Sequence, residues 1–179
     1  MKFSLPMSTP VGQPPELLRP ARGSYIALSV MVAALLNLLS TPDLISRVRP
    51  DFIALVFIYW TIYHPYRIGF FLVWTLGLVM DVANGSLFGQ HALAYTILVY
   101  LAGVFHRRVI MFALVYQLFH VGTMLLVAQV VTLALRAIAG SDFPGLTYFL
   151  PSVIGAALWP LMTTILRAPL RQGQEQDAS

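Results

Sequence analysis

The 179-residue chain is 58% hydrophobic and only 10% charged, with a mean hydropathy of +0.77, whereas about 25% charged residues is usual for a soluble domain. Its formal charge of +4 comes from 11 lysines and arginines scattered between apolar runs, without the basic stripe or folded module of a nucleic-acid binder. With no cysteine in the chain, disulfides, thiol catalysis and cysteine-based metal sites are excluded.

The expected fold is therefore all-α: one polytopic membrane bundle in which each apolar run satisfies its own backbone hydrogen bonds as a helix. Residues 1–22 carry Pro6, Pro10, Pro14, Pro15 and Pro20 and no apolar run. A disordered tail is expected there, because proline lacks an amide donor and fixes φ. The first apolar run is too far from the start, and lacks a small-residue cleavage site, to read as a signal peptide.

Six candidate spans follow within a single membrane domain, residues 23–168: Tyr25 to Leu39, Phe52 to Tyr63, Ile68 to Ala83, Ala92 to Phe105, Val109 to Leu135 and Leu146 to Leu166. The second is short for a hydrocarbon layer of about 30 Å. Asp51 is placed to cap its start and Pro65 to stop its end, and Tyr59, Trp60 and Tyr63 suggest an interfacial belt. Residues 169–179 form a short polar tail.

Six spans place Lys2, Arg19, Arg22, Arg67, Arg107, Arg108, Arg167 and Arg171 at one end, and Arg47, Arg49 and Arg136 at the other. The excess of positive charge puts both termini in the cytoplasm of a bacterial inner membrane. In this reading His106-Arg107-Arg108 is a short cytoplasmic loop. The outer connections are Thr41 to Pro50, the turn at Asn84-Gly85 and the turn from Gly140 to Gly145. None is long enough to house a folded domain, so recognition must use helix faces and short loops.

Candidate sites are few. Asp81 ends the long apolar third segment, and an intramembrane carboxylate needs either a partner or a function. Hydrogen bonding to Asn84-Gly85-Ser86, or capping of the next helix, is favoured over an ion or proton site. Gly85 and Gly89 suit positive φ, and Gly77 suits a close helix approach. His91 begins the fourth helix. The four histidines, His64, His91, His106 and His120, are not spaced to share a helical turn, so no metal site is expected. His120 is expected to hydrogen-bond within the bundle near Gln117 and Gln129. No nucleophile sits beside a base and no cofactor motif is present, so the chain does not read as an enzyme.

Two stretches resemble the rod shape-determining protein MreD family. One is Arg49-Pro50-Asp51-Phe52-Ile53-Ala54-Leu55-Val56-Phe57-Ile58-Tyr59-Trp60, with His64-Pro65-Tyr66-Arg67-Ile68-Gly69 closing it; the other runs from Gly77 through Asp81 and Gly85 to Leu93. The resemblance implies a non-enzymatic scaffold subunit of the bacterial elongation machinery. Its implied partners are the bitopic protein MreC, the filament protein MreB through it, and the glycan polymerase RodA with its transpeptidase partner. Asp51, Trp60, Pro65, Gly77, Asp81, Gly85, Gly89 and His91 are the candidate structural or partner-contact residues. In helix layout the family also resembles the substrate-binding subunits of energy-coupling-factor vitamin transporters. The alternative is accordingly a small-molecule-binding transport subunit, which requires an outward-facing cavity with convergent polar groups.

Overall fold

The computed structural model describes residues 23–39, 48–65 and 67–176, with side chains to Pro169. The proline-rich tail, most of the Thr41 to Pro50 connection and the last three residues lie outside the described residues. Each apolar run becomes a helix: α1 (Gly23–Leu38), α2 (Phe52–Tyr63), α3 (Phe70–Ala83), α4 (Gln90–Met111), α5 (Leu114–Ile138) and α6 (Leu150–Gln176). A 3-10 turn, Leu146–Phe149, leads into α6. There is no strand among the described residues.

Three segments, Gln90–Met111, Leu114–Ile138 and Leu146–Pro169, are long and apolar enough to cross a membrane, while α1, α2 and α3 are shorter apolar helices. The short α2 lies at the centre of the bundle, packed on α1, α4 and α6. Every residue from Ile53 to Ile62 is buried. A helix without a lipid-facing side has no need to match the hydrocarbon thickness, so twelve residues, about 18 Å, suffice.

This enclosure corrects the expected aromatic belt. Tyr59 and Trp60 are 1% and 0% exposed, and their rings meet edge to face at 5.1 Å. Tyr25 from α1 approaches Trp60 at 5.7 Å, while Trp60 Nε1 donates to Ser29 Oγ at 2.8 Å. The indole N–H finds its partner in a neighbouring helix rather than at a water boundary.

Helix α3 is the reverse case. Its principal neighbour is α4, and only Val73, Gly77, Met80 and Asp81 are buried. Phe71 and Val82 are 80% and 70% exposed, as a lipid- or partner-facing surface requires and a soluble surface rarely tolerates at this extent.

The boundary between α4 and α5 also differs from expectation. His106, Arg107 and Arg108 are not a loop: α4 continues to Met111, and Phe112-Ala113 alone separates it from α5. Arg108 falls in the last helical turn, where a cation meets the negative end of the helix dipole. Buried Val109 carries the helix onward. At the C-terminus, α6 continues to Gln176, so the polar tail expected from residue 169 is helical over most of its length.

Candidate functional site

The ends of α1, α3 and α5 and the starts of α2, α4 and α6 meet at one end of the bundle. Two carboxylates organise it. Helix α3 closes in a Schellman motif, with Gly85 N–H donating to Val82 O at 3.3 Å and Ser86 N–H to Asp81 O at 3.0 Å, and with Gly85 at φ +59°. That reversal brings the Asp81 side chain over the start of α4. Asp81 is 0% exposed; its Oδ2 accepts from Gly89 N–H at 2.8 Å. Its Oδ1 accepts from His91 N–H at 2.8 Å, from His91 Nδ1 at 2.7 Å and from Ser86 Oγ at 2.9 Å.

The carboxylate thus replaces intrahelical acceptors that the first amides of α4 lack. Gly89, at φ +95°, turns the chain into the helix. Gly77 allows α3 to approach α4: a Cβ there would lie 2.6 Å from Ala92 N and closer still to its Cα.

The second carboxylate, Asp51, joins three helices. As the N-cap of α2, its Oδ1 accepts from Ala54 N–H at 3.0 Å. The same oxygen accepts from Asn37 Nδ2 of α1 at 2.7 Å, while Oδ2 accepts from Tyr95 Oη of α4 at 2.6 Å. Asn37 Oδ1 in turn accepts from Phe52 N–H at 3.0 Å. Arg49 donates to the carbonyls of Leu39, at 2.6 Å, and Asn37, closing the C-terminal end of α1.

Between these two nodes lies a partly open cavity of about 280 Å³. Its walls come from Asn37, Arg49 and Asp51 on one side, Asn84, Gln90, His91 and Tyr95 on another, and Gln129, Thr132, Arg136, Tyr148 and Ser152 on the third. Ala54, Met80, Leu125 and Ala128 add apolar surface. Helix α5 supplies its share through the i, i+3, i+7 face of Gln129, Thr132 and Arg136. Gln129 is fixed by Ser152 Oγ, which donates to its Oε1 at 2.5 Å, and by its own Nε2 donating to Tyr148 O at 3.0 Å. This end of the bundle is polar and hollow.

At the opposite end Gln117, not His120, makes the interhelical contact. Gln117 Oε1 accepts from Trp159 Nε1 at 3.1 Å and Tyr63 Oη at 3.4 Å. His120 Nδ1 instead donates within α5, to Tyr116 O at 2.9 Å, and the ring stacks on Phe112. The sequence expectation for His120 is a hydrogen bond within the bundle near Gln117 and Gln129; its partner is instead a carbonyl of its own helix. Pro65 follows the end of α2 at this same end, where His64 N–H caps onto Trp60 O at 2.7 Å.

The family model described as rod shape-determining protein MreD matches residues 22–168, most of the chain. The chain belongs to the MreD family. No solved structure matches it. Within this MreD-family chain, both motif stretches reach the hollow end: Arg49, Pro50 and Asp51 of the first and Asn84, Gln90 and His91 of the second line two of the three walls. Trp60 lies inside the bundle and Pro65 at its far end.

Serine, histidine and aspartate meet at Ser86, His91 and Asp81, but not in the order of a proton relay. Both Asp81 Oδ1 and Ser86 Oγ address the same ring nitrogen, His91 Nδ1, at 2.7 and 3.3 Å. A relay needs acid and nucleophile on opposite nitrogens. The cluster is a turn lock.

Sequence reasoning missed Asn37, Tyr95, Gln90, Gln129, Arg136 and Tyr148 as members of one site. The spacing of Gln129, Thr132 and Arg136 was the available signal, as was Asn37 as the lone strongly polar residue of its run.

Proposed function

We propose that this chain is a non-enzymatic membrane scaffold of the rod-shape machinery, with MreC as its direct partner and MreB, RodA and the RodA-associated transpeptidase reached through the assembly. Membership of the MreD family carries this reading. The fold supports it: connections between the described helices are short, so helix faces are the recognition surface. The arginine-rich end, with Arg67, Arg107, Arg108 and Arg167, is assigned to the cytoplasm of the inner membrane, which places the cavity on the outer side.

Helix α3 is the proposed docking surface for the single membrane helix of MreC. It packs on one principal neighbour and presents Phe71, Trp74 and Val82 outward. A largely apolar groove lined by Thr75, Leu78, Val79, Val82, Ala83 and Phe88 runs along it, of the kind that a helix ridge fills through van der Waals packing. Helix α2 is closed to partners by its own bundle.

Val79→Trp fills this groove from an exposed position, and Phe71→Ala removes an exposed ring. Co-purification from detergent with MreC should drop about tenfold for these variants, as for loss of an interface hot spot, while expression stays normal. Undiminished MreC recovery would reject α3 as the contact. The transport-subunit alternative has the polar cavity in its favour, but a cavity speaks for ligand binding and not for transport. Copurification of an ATPase-containing module in place of MreC would favour that alternative.

A further inference from the structure

The cavity between α3–α4 and α5 is lined by two guanidinium groups, Arg49 and Arg136, and neither lies within ion-pair distance of a carboxylate among the described residues. Asp51 is engaged by Asn37, Ala54 N–H and Tyr95, and Asp81 by its own turn and His91. Among the described residues His91, beside Asp81, is the only basic side chain within 4.0 Å of a carboxylate. Arg49 is directed to the carbonyls that end α1.

Arg136 is placed differently. It lies in the last turn of α5, where a side chain ordinarily extends along the helix axis to water. Instead it turns inward: Nε donates to Gln90 Oε1 at 3.4 Å, and the guanidinium carbon lies 5.8 Å from the centre of the Tyr148 ring. That one contact leaves both terminal nitrogens of Arg136 without an acceptor among the described residues. Gln90, only 2% exposed, turns its carbonyl oxygen to Arg136 and so leaves its amide nitrogen as a further donor into the same cavity.

We propose that this cavity binds a phosphate ester, its oxyanion held by the terminal nitrogens of Arg136 and the Gln90 amide. A guanidinium fork matches an oxyanion bidentately, and charge-assisted bonds of this kind strengthen where water is excluded. The volume of about 280 Å³ is at the lower limit of small-molecule sites, about 300 Å³. It accommodates a phosphoryl group with a small polar substituent. Ala54, Met80, Leu125 and Ala128 receive the uncharged part of the ligand. Because helix ends build the cavity, it lies at the depth of the headgroup layer. A lipid headgroup and a soluble phosphate ester therefore offer the same chemistry. The site is independent of the scaffold reading and of the α3 groove.

The test uses the full-length protein in an uncharged detergent, with glycerol 3-phosphate as the soluble probe, short-chain phosphatidylglycerol as the lipid probe and glycerol as the neutral control. The melting temperature should rise with at least one phosphate probe and not with glycerol. Apparent affinity should weaken about tenfold or more in Arg136→Gln and stay unchanged in Arg108→Gln, at the other end of the bundle. A rise with glycerol 3-phosphate identifies a soluble ligand; a rise with phosphatidylglycerol alone identifies a headgroup. Gln90→Glu supplies Arg136 with an internal carboxylate, so this variant should melt at or above the parent protein and lose the probe-dependent rise. It keeps the test decisive should Arg136→Gln fail to fold. No rise with either probe, or an equal rise in the parent and Gln90→Glu proteins, overturns the proposal.

Discussion

Asp81 shows what one residue contributes when a buried carboxylate replaces missing helix acceptors. Removing it strands two half-buried amides, Gly89 N–H and His91 N–H, each costing about 1 to 3 kcal/mol if left unsatisfied away from water. Asp81→Ala should therefore lower the stability of the bundle by about 3 kcal/mol, read from equilibrium unfolding in mixed micelles. Asp81→Asn retains an acceptor and should lose less; an equal loss would point to the negative charge itself. This role was legible in the sequence, because all of Asp81's partners lie within ten residues in the turn that follows it. The cap formed by Asp51 was legible for the same reason. Its bonds to Asn37 and Tyr95 span 14 and 44 residues, and no local pattern specifies which helices will be neighbours.

At the scale of the element, α2 and α3 read almost alike as sequence and do opposite things. Both are short apolar runs, yet α2 is enclosed on all sides and α3 is exposed along most of its length. Hydropathy does not separate them, since lipid tails and a packed protein interior are equally apolar. The difference predicts opposite sensitivities. Ile58→Asn, at a position with 0% exposure, buries an amide without partners and should destabilise by roughly 2 to 4 kcal/mol. Val82→Ala, 70% exposed, should change stability by less than about 0.5 kcal/mol. Thermal inactivation of the two variants in detergent checks the contrast, and similar melting points would refute the central placement of α2. The aromatic run Tyr59-Trp60-Tyr63 misled for this reason: aromatic rings mark an interface or a core equally well until the neighbours are known.

For the whole molecule, the arginine-rich end and the hollow end should lie on opposite sides of the membrane, and the absence of cysteine makes this directly measurable. A Gly140→Cys variant, at the exposed turn after α5, should react with a membrane-impermeant maleimide on intact spheroplasts. Arg108→Cys should react only after permeabilisation. Labelling in the reverse order would invert the proposed topology and move the cavity to the cytoplasmic side. The sequence by itself determined membrane residence, the helical class and the two carboxylate-centred turns, because hydrocarbon enforces internal hydrogen bonding and because caps and glycine turns are local. Only the tertiary structure decided that α2 is the centre of the bundle. It alone brought Asn37, Gln90, Gln129 and Arg136 to one cavity, since residues so far apart in the chain meet only through the packing of helix against helix, where apolar faces outnumber the few polar groups that distinguish one arrangement from another.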